Sequence, residues 1–444
     1  MQKIALALVL AAAQAQAQAQ SEYSQMEVTL VTLGPSQFLY TAAGHSILRV
    51  KYQDKDQKRD LTYNWGIFKY TPEFVAEFFQ GNIRYRMGTY EYDSYLAMVK
   101  KHEPRQVVEE TLHLTDKQKE KLYEHLLFWE KPSNNTYSYH IWQDNCSTKI
   151  RDIFDDILNH QVKKHTQGIP GTESYRELWA KYFGGYAEAT MATDVLLNQE
   201  ADVVPDLYEQ MYIPERLRQA LTTMPMIDDR GEVLPGTRLL GPQTTLVAFD
   251  PPREVTYSGY IWWWIMALPL AASLLLWLRK KPPPPWLVRL AGVGFLAYGL
   301  VAGLLGVLIL ITPWISNRTY FYTPASMWLL WPVDFAYCVL GTRLLLGRSH
   351  NEGGLKGAPQ PPGQKALSYL AFAHTAAGGV FLLLGLTGFF DQSVANLATY
   401  LLLPVLLTAA ATAFAPLPAA TVSQAAPQPR KRPRRPRRPK HRAA

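Results

Sequence analysis

The chain has 444 residues, 48% of them hydrophobic and 18% charged, with two cysteines and a formal net charge of +8. A chain of this length can hold more than one domain. Nine basic residues and no acid lie between Arg430 and Arg442, so everything upstream is near neutral at about −1, which excludes an extended nucleic-acid-binding face.

Residues 1–19 read as a secretory signal peptide. Lys3 gives the basic start, Ile4 to Ala13 the apolar run, and Ala15-Gln16-Ala17 and Ala17-Gln18-Ala19 two Ala-x-Ala cleavage patterns. The following residues, to about 256, mix polar and apolar character like a water-soluble domain. Within them, 21–190 read as the exported catalytic domain and 191–256 as an extension or membrane-proximal segment. Glu27 to Leu33 is rich in β-branched residues and stops at Gly34-Pro35. Ser46 to Tyr52 is a second strand, and Leu61 to Ile67 alternates like a half-buried third. Thr115 caps a helix along which Leu122, Leu126 and Trp129 recur. Ile150, Ile153, Phe154, Ile157 and Leu158 mark one apolar helical face, with Asp144 or Asn145 as the N-cap.

Beyond residue 257 come five apolar stretches of about 20 residues, the length a bilayer demands: 260–278, 287–311, 326–346, 366–389 and 394–414. Basic residues follow the first (Arg279, Lys280, Lys281), lie around the link between third and fourth (Arg343, Arg348, Lys356, Lys365) and fill the tail from 417. The positive-inside rule therefore puts the tail in the cytoplasm and the soluble domain on the opposite side. Pro282 to Pro285 and 351–364 read as linkers. Trp262, Trp263 and Trp264 open the first stretch, and Trp314, Tyr320, Phe321, Tyr322 and Trp328 gather before and at the start of the third. They read as an anchoring belt, or as a platform where a lipid chain meets the soluble domain. Asp334 and His374 are ionisable groups within apolar stretches; Asp334 reads as lining the lipid or amine site or as a structural hydrogen bond to a neighbouring helix, and His374 as structural. Counting about 1.5 Å per residue from opposite faces leaves roughly 6 Å between them, too far for a direct pair.

The chemistry centres on Cys146. It stands in an exported segment with no plausible disulfide partner, since Cys338 lies in an apolar stretch. In the first turn of a helix, open backbone N–H groups and the helix dipole favour a thiolate and could hold an oxyanion. Such a thiolate works with a base. His45, after Gly44 at the start of a strand, is the histidine best held for that role; the others read as surface residues. The next strand offers Tyr63 or Asn64 to orient it. Asn64 shares the more polar face with Thr62 and Gly66 and is the choice. No His-Glu-x-x-His or Cys-x-x-Cys pattern occurs, so neither metal nor cofactor is expected.

Gly44-His45-Ser46, Tyr63-Asn64-Trp65-Gly66-Ile67-Phe68 and Asp144-Asn145-Cys146-Ser147-Thr148 follow one another in this order. The order resembles the permuted papain-like (NlpC-type) domains, as in lecithin:retinol acyltransferase. More narrowly, it resembles the periplasmic domain of the Bacteroides-type lipoprotein N-acyltransferase (Lnb) family. Phe74 to Gly81, Arg105 to Leu114, Tyr212 to Leu217 and the apolar C-terminal half are also similar, so the likeness runs from about 24 to 416. It implies an α+β permuted papain-like exported domain followed by an all-α five-span transmembrane bundle. It also implies a bacterial inner-membrane enzyme that moves a fatty acyl chain through a Cys146 thioester. The donor would be a phospholipid or a diacylated lipoprotein, and the acceptor the α-amino group of a lipoprotein's N-terminal cysteine. Asp144, Asn145, Tyr63 and Asp334 are then candidate substrate-binding residues. An exported cysteine peptidase acting on cell-wall peptides and a non-catalytic membrane scaffold remain alternatives.

Overall fold

The structure, a computed structural model, describes residues 23–54, 57–249, 271, 284–346, 362–390, 397–402, 404–406 and 408. The expected signal peptide, nearly all of the first apolar stretch with its three tryptophans, residues 351–361 and the basic tail lie outside the described residues.

The soluble part is mixed α/β. Its strands are β1 (Glu27–Leu33), β2 (His45–Asp54), β3 (Gln57–Ile67), β4 (Arg84–Glu91), β5 (Val107–Thr111) and β6 (Thr136–Ser138), with α1 (Phe74–Gln80), α2 (Tyr92–His102) and α3 (Asp116–Glu130) between them. Next come α4 (Cys146–Ile157), α5 (Gln161–Thr166), α6 (Tyr175–Phe183), α7 (Ala187–Leu196), α8 (Leu207–Gln210), α9 (Pro214–Thr223), the short β7 (Met226–Ile227) and β8 (Val233–Leu234), and β9 (Thr244–Val247). Seven strands form one antiparallel sheet in the order β6-β4-β3-β2-β1-β5-β9. The segment expected as an extension contributes β9 to this sheet, where it closes the edge on β5.

Local sequence explains the main helices. Thr115 and Gln118 form a reciprocal capping box that opens α3. Asn145, and not Asp144, caps α4, in a box with Thr148. The α4 face Ile150, Ile153, Phe154 and Ile157 is buried in one core with Leu30, Leu48, Tyr63, Trp65, Leu122 and Leu126.

The C-terminal half is helical. Among the described residues two helices are long and apolar enough to cross a membrane, α10 (Pro285–Ile315) and the 369–386 part of α12 (Pro362–Leu386). The expected continuous third span is broken. A 3₁₀ turn at Ala325–Trp328 and another at Pro332–Asp334 precede α11 (Phe335–Leu346), and the two halves bend by 49°. Pro332 accounts for the break: it has no N–H to donate, and it holds Trp331 extended at φ −126°, ψ 146°. The segment 319–346 supplies at most one further crossing. The expected first stretch falls almost wholly outside the described residues and the fifth is described only in part. α10 and α11 pack closely through small residues. A Cβ on Gly299 would stand 2.6 Å from Cys338 N, and one on Gly306 2.4 Å from Trp331 C.

The break also corrects the expected separation of Asp334 and His374. Counting a helical rise from 326 fails where no helix runs, and Asp334 Oδ1 lies 3.0 Å from His374 Nε2. The approach is short but lacks hydrogen-bond alignment, so it is a close polar contact.

Candidate active site

β2 and α4 bring the chemistry together. Gly44 has φ +87°, a left-handed backbone where a Cβ would stand 2.6 Å from Leu33 O; this turn delivers His45 to the first position of β2, opposite Leu33 of β1. Ser46 Oγ and Ser147 Oγ lie 3.0 Å apart in the buried seam between β2 and α4. That seam fixes His45 and Cys146, each one residue earlier, against each other.

Asn64 Oδ1 stands 2.9 Å from His45 Nε2 and accepts the Gly66 N–H at 2.7 Å. Because this atom accepts the Gly66 proton, it is the oxygen, and His45 Nε2 carries the hydrogen that it also receives. Nδ1 is left for the thiol. The β3–β4 register slips between Asn64 and Ile67, a bulge of the kind that re-aims side chains. Gly66 leaves room for the imidazole: a Cβ there would meet His45 Cε1 at 2.4 Å. Cys146 is half-buried. Burial pushes its thiol up, but the charge and hydrogen bond of His45, the Ser46 backbone N–H and the Ser147 hydroxyl outweigh this and bring it down to about 7.

Other expectations change. Tyr63 points to the opposite face of β3, is 1% exposed and donates to Glu130 Oε1 at 3.1 Å, so it does not face the site. Asp144 is taken by Lys149 Nζ at 2.6 Å. Asn145 is fully used as well: its Oδ1 accepts from Ser147 N and Thr148 N, and its Nδ2 donates to Ile141 O and Tyr212 O. These three are structural here, and Ser147 N and Thr148 N are not open to an oxyanion. Asp334 belongs to the apolar half, 0% exposed beside His374.

Three residues escaped sequence reasoning. His140, expected at the surface, is buried. Its Nδ1 accepts the N–H groups of Trp142 and Gln143, shaping the turn that leads to Cys146. Burial first, then the nearby Arg318 charge, push its imidazole down to about 4, so it is neutral. Arg105 is 2% exposed with Nη2 on Glu103 Oε2 at 2.9 Å. Arg318 reaches across from the apolar half, donating to Tyr139 O at 2.7 Å and Gly81 O at 2.8 Å. A Gly-His or Asp-Asn-Cys pattern is visible in a sequence; a cation docking on carbonyls some 180 residues away has no local signature. Among the described residues no cluster of three or more His, Cys, Asp or Glu is disposed to hold a metal.

Comparison with known families finds one match: residues 13–181 fit the family described as the Lnb N-terminal periplasmic domain. This stretch, somewhat under half of the chain, is similar to that domain family. It contains His45, Asn64 and Cys146, and it is followed by the apolar helices. No curated protein and no solved structure matches the chain. The Lnb domain shares one core with the apolar half, in which Trp142, Tyr212 and Ile213 pack with Phe295, Tyr320 and Phe321. Tyr320 and Phe321 are 4% and 2% exposed, so they seal this contact instead of forming a belt at a membrane surface. Asn198 ties the same loop by donating to Thr319 O and Tyr322 O.

Proposed function

We propose that the protein is a cysteine-dependent acyltransferase that moves a fatty acyl chain, through a thioester on Cys146, to the α-amino group of a lipoprotein's N-terminal cysteine. The observation that carries this reading is the Cys146 thiol, lowered to about 7, beside a His45 imidazole whose far nitrogen is held by Asn64. The Cys146 thiolate attacks the ester carbonyl of a phospholipid or a diacylated lipoprotein. The carbonyl–oxygen bond breaks, and the leaving alkoxide takes the proton that His45 received from the thiol. The amine of the lipoprotein then attacks the thioester, His45 accepts its proton, and the carbon–sulfur bond breaks to return the thiolate. With Ser147 N and Thr148 N engaged by Asn145, the Cys146 N–H is the first-turn amide left to meet the oxyanion.

The docking of the Cys146-bearing segment onto the 317–322 loop favours a lipid substrate over a cell-wall peptide, because both proposed substrates are anchored in the bilayer. The test is to incubate the purified full chain with phospholipid vesicles, then with a diacylated lipoprotein. Intact-mass and peptide analysis should find an acyl adduct on Cys146 that is lost when the amine is added. In cells lacking the protein, lipoproteins should keep free α-amino groups, which the wild-type gene masks and a Cys146→Ala copy does not. Masking by the Cys146→Ala copy would sink the reading.

A further inference from the structure

A row of aromatic rings leads away from the thiol. Tyr139 stacks on Tyr85 with centroids 4.1 Å apart and planes at 20°. Tyr85 stacks on Phe68 at 5.0 Å, Phe68 meets Phe74 at 5.3 Å, and Phe74 meets Tyr70 at 5.3 Å. Tyr40 flanks the row at 6.1 Å from Phe68. The inner end is beside the site: Tyr139 precedes His140, whose ring accepts the Trp142 and Gln143 N–H groups of the turn that leads to Cys146. The outer end is open: Tyr70 is 80% exposed and Tyr40 58%.

The four inner rings are half-buried and Tyr70 is exposed, so the row runs from the surface inward, and a contiguous apolar row that reaches solvent marks a binding surface. Its surroundings identify the occupant. α1, which carries Phe74, continues into Phe78 and Phe79, and both rings contact Phe321 of the loop after α10. Asn317 N of the same loop donates to Gln80 O, and Arg318 binds Tyr139 O next to the inner ring. The row therefore follows the side of the domain on which the apolar helices dock. Its four centroid steps of 4.1 to 5.3 Å give a path comparable to the ~15 Å depth of one bilayer leaflet, half of a ~30 Å hydrocarbon core.

We propose that the rings of Tyr139, Tyr85, Phe68, Phe74 and Tyr70 form the acyl-chain track of this site, laying the hydrocarbon of a membrane lipid from the bilayer side of the domain to the Cys146 sulfur. The inference rests on the acyltransferase reading for the bond that forms, but the track itself is a binding surface that exists without the reaction. Phe68, at the middle of the row, sets how far a chain extends past it.

The experiment has two arms, both on the full chain in phospholipid vesicles. In the first, phosphatidylethanolamine with a diazirine at the end of one acyl chain is irradiated with the Cys146→Ala protein, and the cross-linked peptides are mapped. Labels on residues 67–74 and 84–86 support the track; labels confined to α10, α11 and α12 overturn it, whatever the enzyme does. In the second arm, donors with long and short acyl chains compete for the Cys146 adduct in wild type and in Phe68→Trp and Phe68→Leu. Phe68→Trp should lower the long-to-short ratio by about tenfold, and Phe68→Leu should raise it or leave it unchanged, on the scale of a pocket that gains or loses a few carbons. Equal ratios in all three proteins overturn the proposal. Absence of any adduct in wild type defeats the acyltransferase reading alone, and the cross-linking arm then decides the track.

Discussion

Two histidines in this molecule each have a polar partner, and they are built in opposite ways. His45 is half-buried, held by a neutral amide, and turned toward a half-buried thiol. His374 is 1% exposed, faces the 0% exposed Asp334, and has the Trp331 ring stacked on it at 4.1 Å. Its Nδ1 points at Leu370 O and must carry a hydrogen to make that bond, while its Nε2 lies 3.0 Å from Asp334 Oδ1. Asp334 Oδ2 also accepts the Trp331 N–H and closes the turn at the broken span. The contrast teaches that burial alone does not make a histidine functional. In the proposed reaction the first passes a proton to a substrate arriving at the thiol; the second is sealed and holds a broken helix against α12.

The largest effect should come from removing the group that only one of the two sites has. Cys146→Ala should abolish lipoprotein N-acylation, read as free α-amino groups by mass spectrometry, while the unfolding midpoint in detergent stays near wild type. Asp334→Ala should do the reverse. It leaves His374 and the Trp331 N–H without their partner in an apolar interior, a change expected to destabilise by about 3 kcal/mol, with little effect on the alkylation rate of Cys146 in the folded fraction. A normal melting temperature combined with lost thiol reactivity would erase the distinction and assign the buried pair to the chemistry.

Much of the first site was legible because its parts are local. Gly44-His45 announces a turn into a strand, alternation along β3 separates Asn64 from Tyr63, and an Asx residue before an apolar helical repeat marks the cap beside Cys146. Composition and charge alone also show where the apolar half begins. The second site was misread for an equally physical reason. Hydropathy treats 326–346 as one span, whereas Pro332 ends the helix and carries Asp334 to His374. Side-chain assignments failed wherever a residue's partner is distant in the chain. Asn145 looked free for substrate, yet Tyr212 O and Ile141 O consume its amide. Nothing near His140 or Arg318 in the sequence reports that each is committed to the turn before Cys146.

Asn145 offers the next sharpest test, because it serves the first site without touching a reacting atom. Asn145→Ala removes two acceptor contacts at the start of α4 and leaves two carbonyls without their donor. Loss of the cap and the stranded groups together should destabilise by about 2–3 kcal/mol. Asn145→Asp keeps the cap and loses only the Nδ2 donations, so it should fall between alanine and wild type. Equal unfolding midpoints for wild type and alanine would show that the Asn145 network contributes nothing to the Lnb domain.

The smallest expected change is also the most direct probe of the pairing of Cys146 and His45. A thiol brought down to about 7 from an ordinary value of 9 is more ionised as pH rises through 7. Alkylation of Cys146 by iodoacetamide should therefore climb with a midpoint near 7 and level off above it, as only the thiolate reacts. His45 supplies the largest of the influences that lower the thiol, so His45→Ala should move that midpoint upward and cut the rate at pH 7 by about tenfold. The gap between wild type and variant should narrow as pH rises above the wild-type midpoint; narrowing separates lost ionisation from lost access to the sulfur. Asn64→Ala keeps the imidazole and frees its far nitrogen, so its midpoint should lie between the two. A wild-type profile that shows no rise between pH 6 and 8 would mean that the thiol is not tuned by its neighbours, and the contrast with the sealed pair at Asp334 would lose its basis.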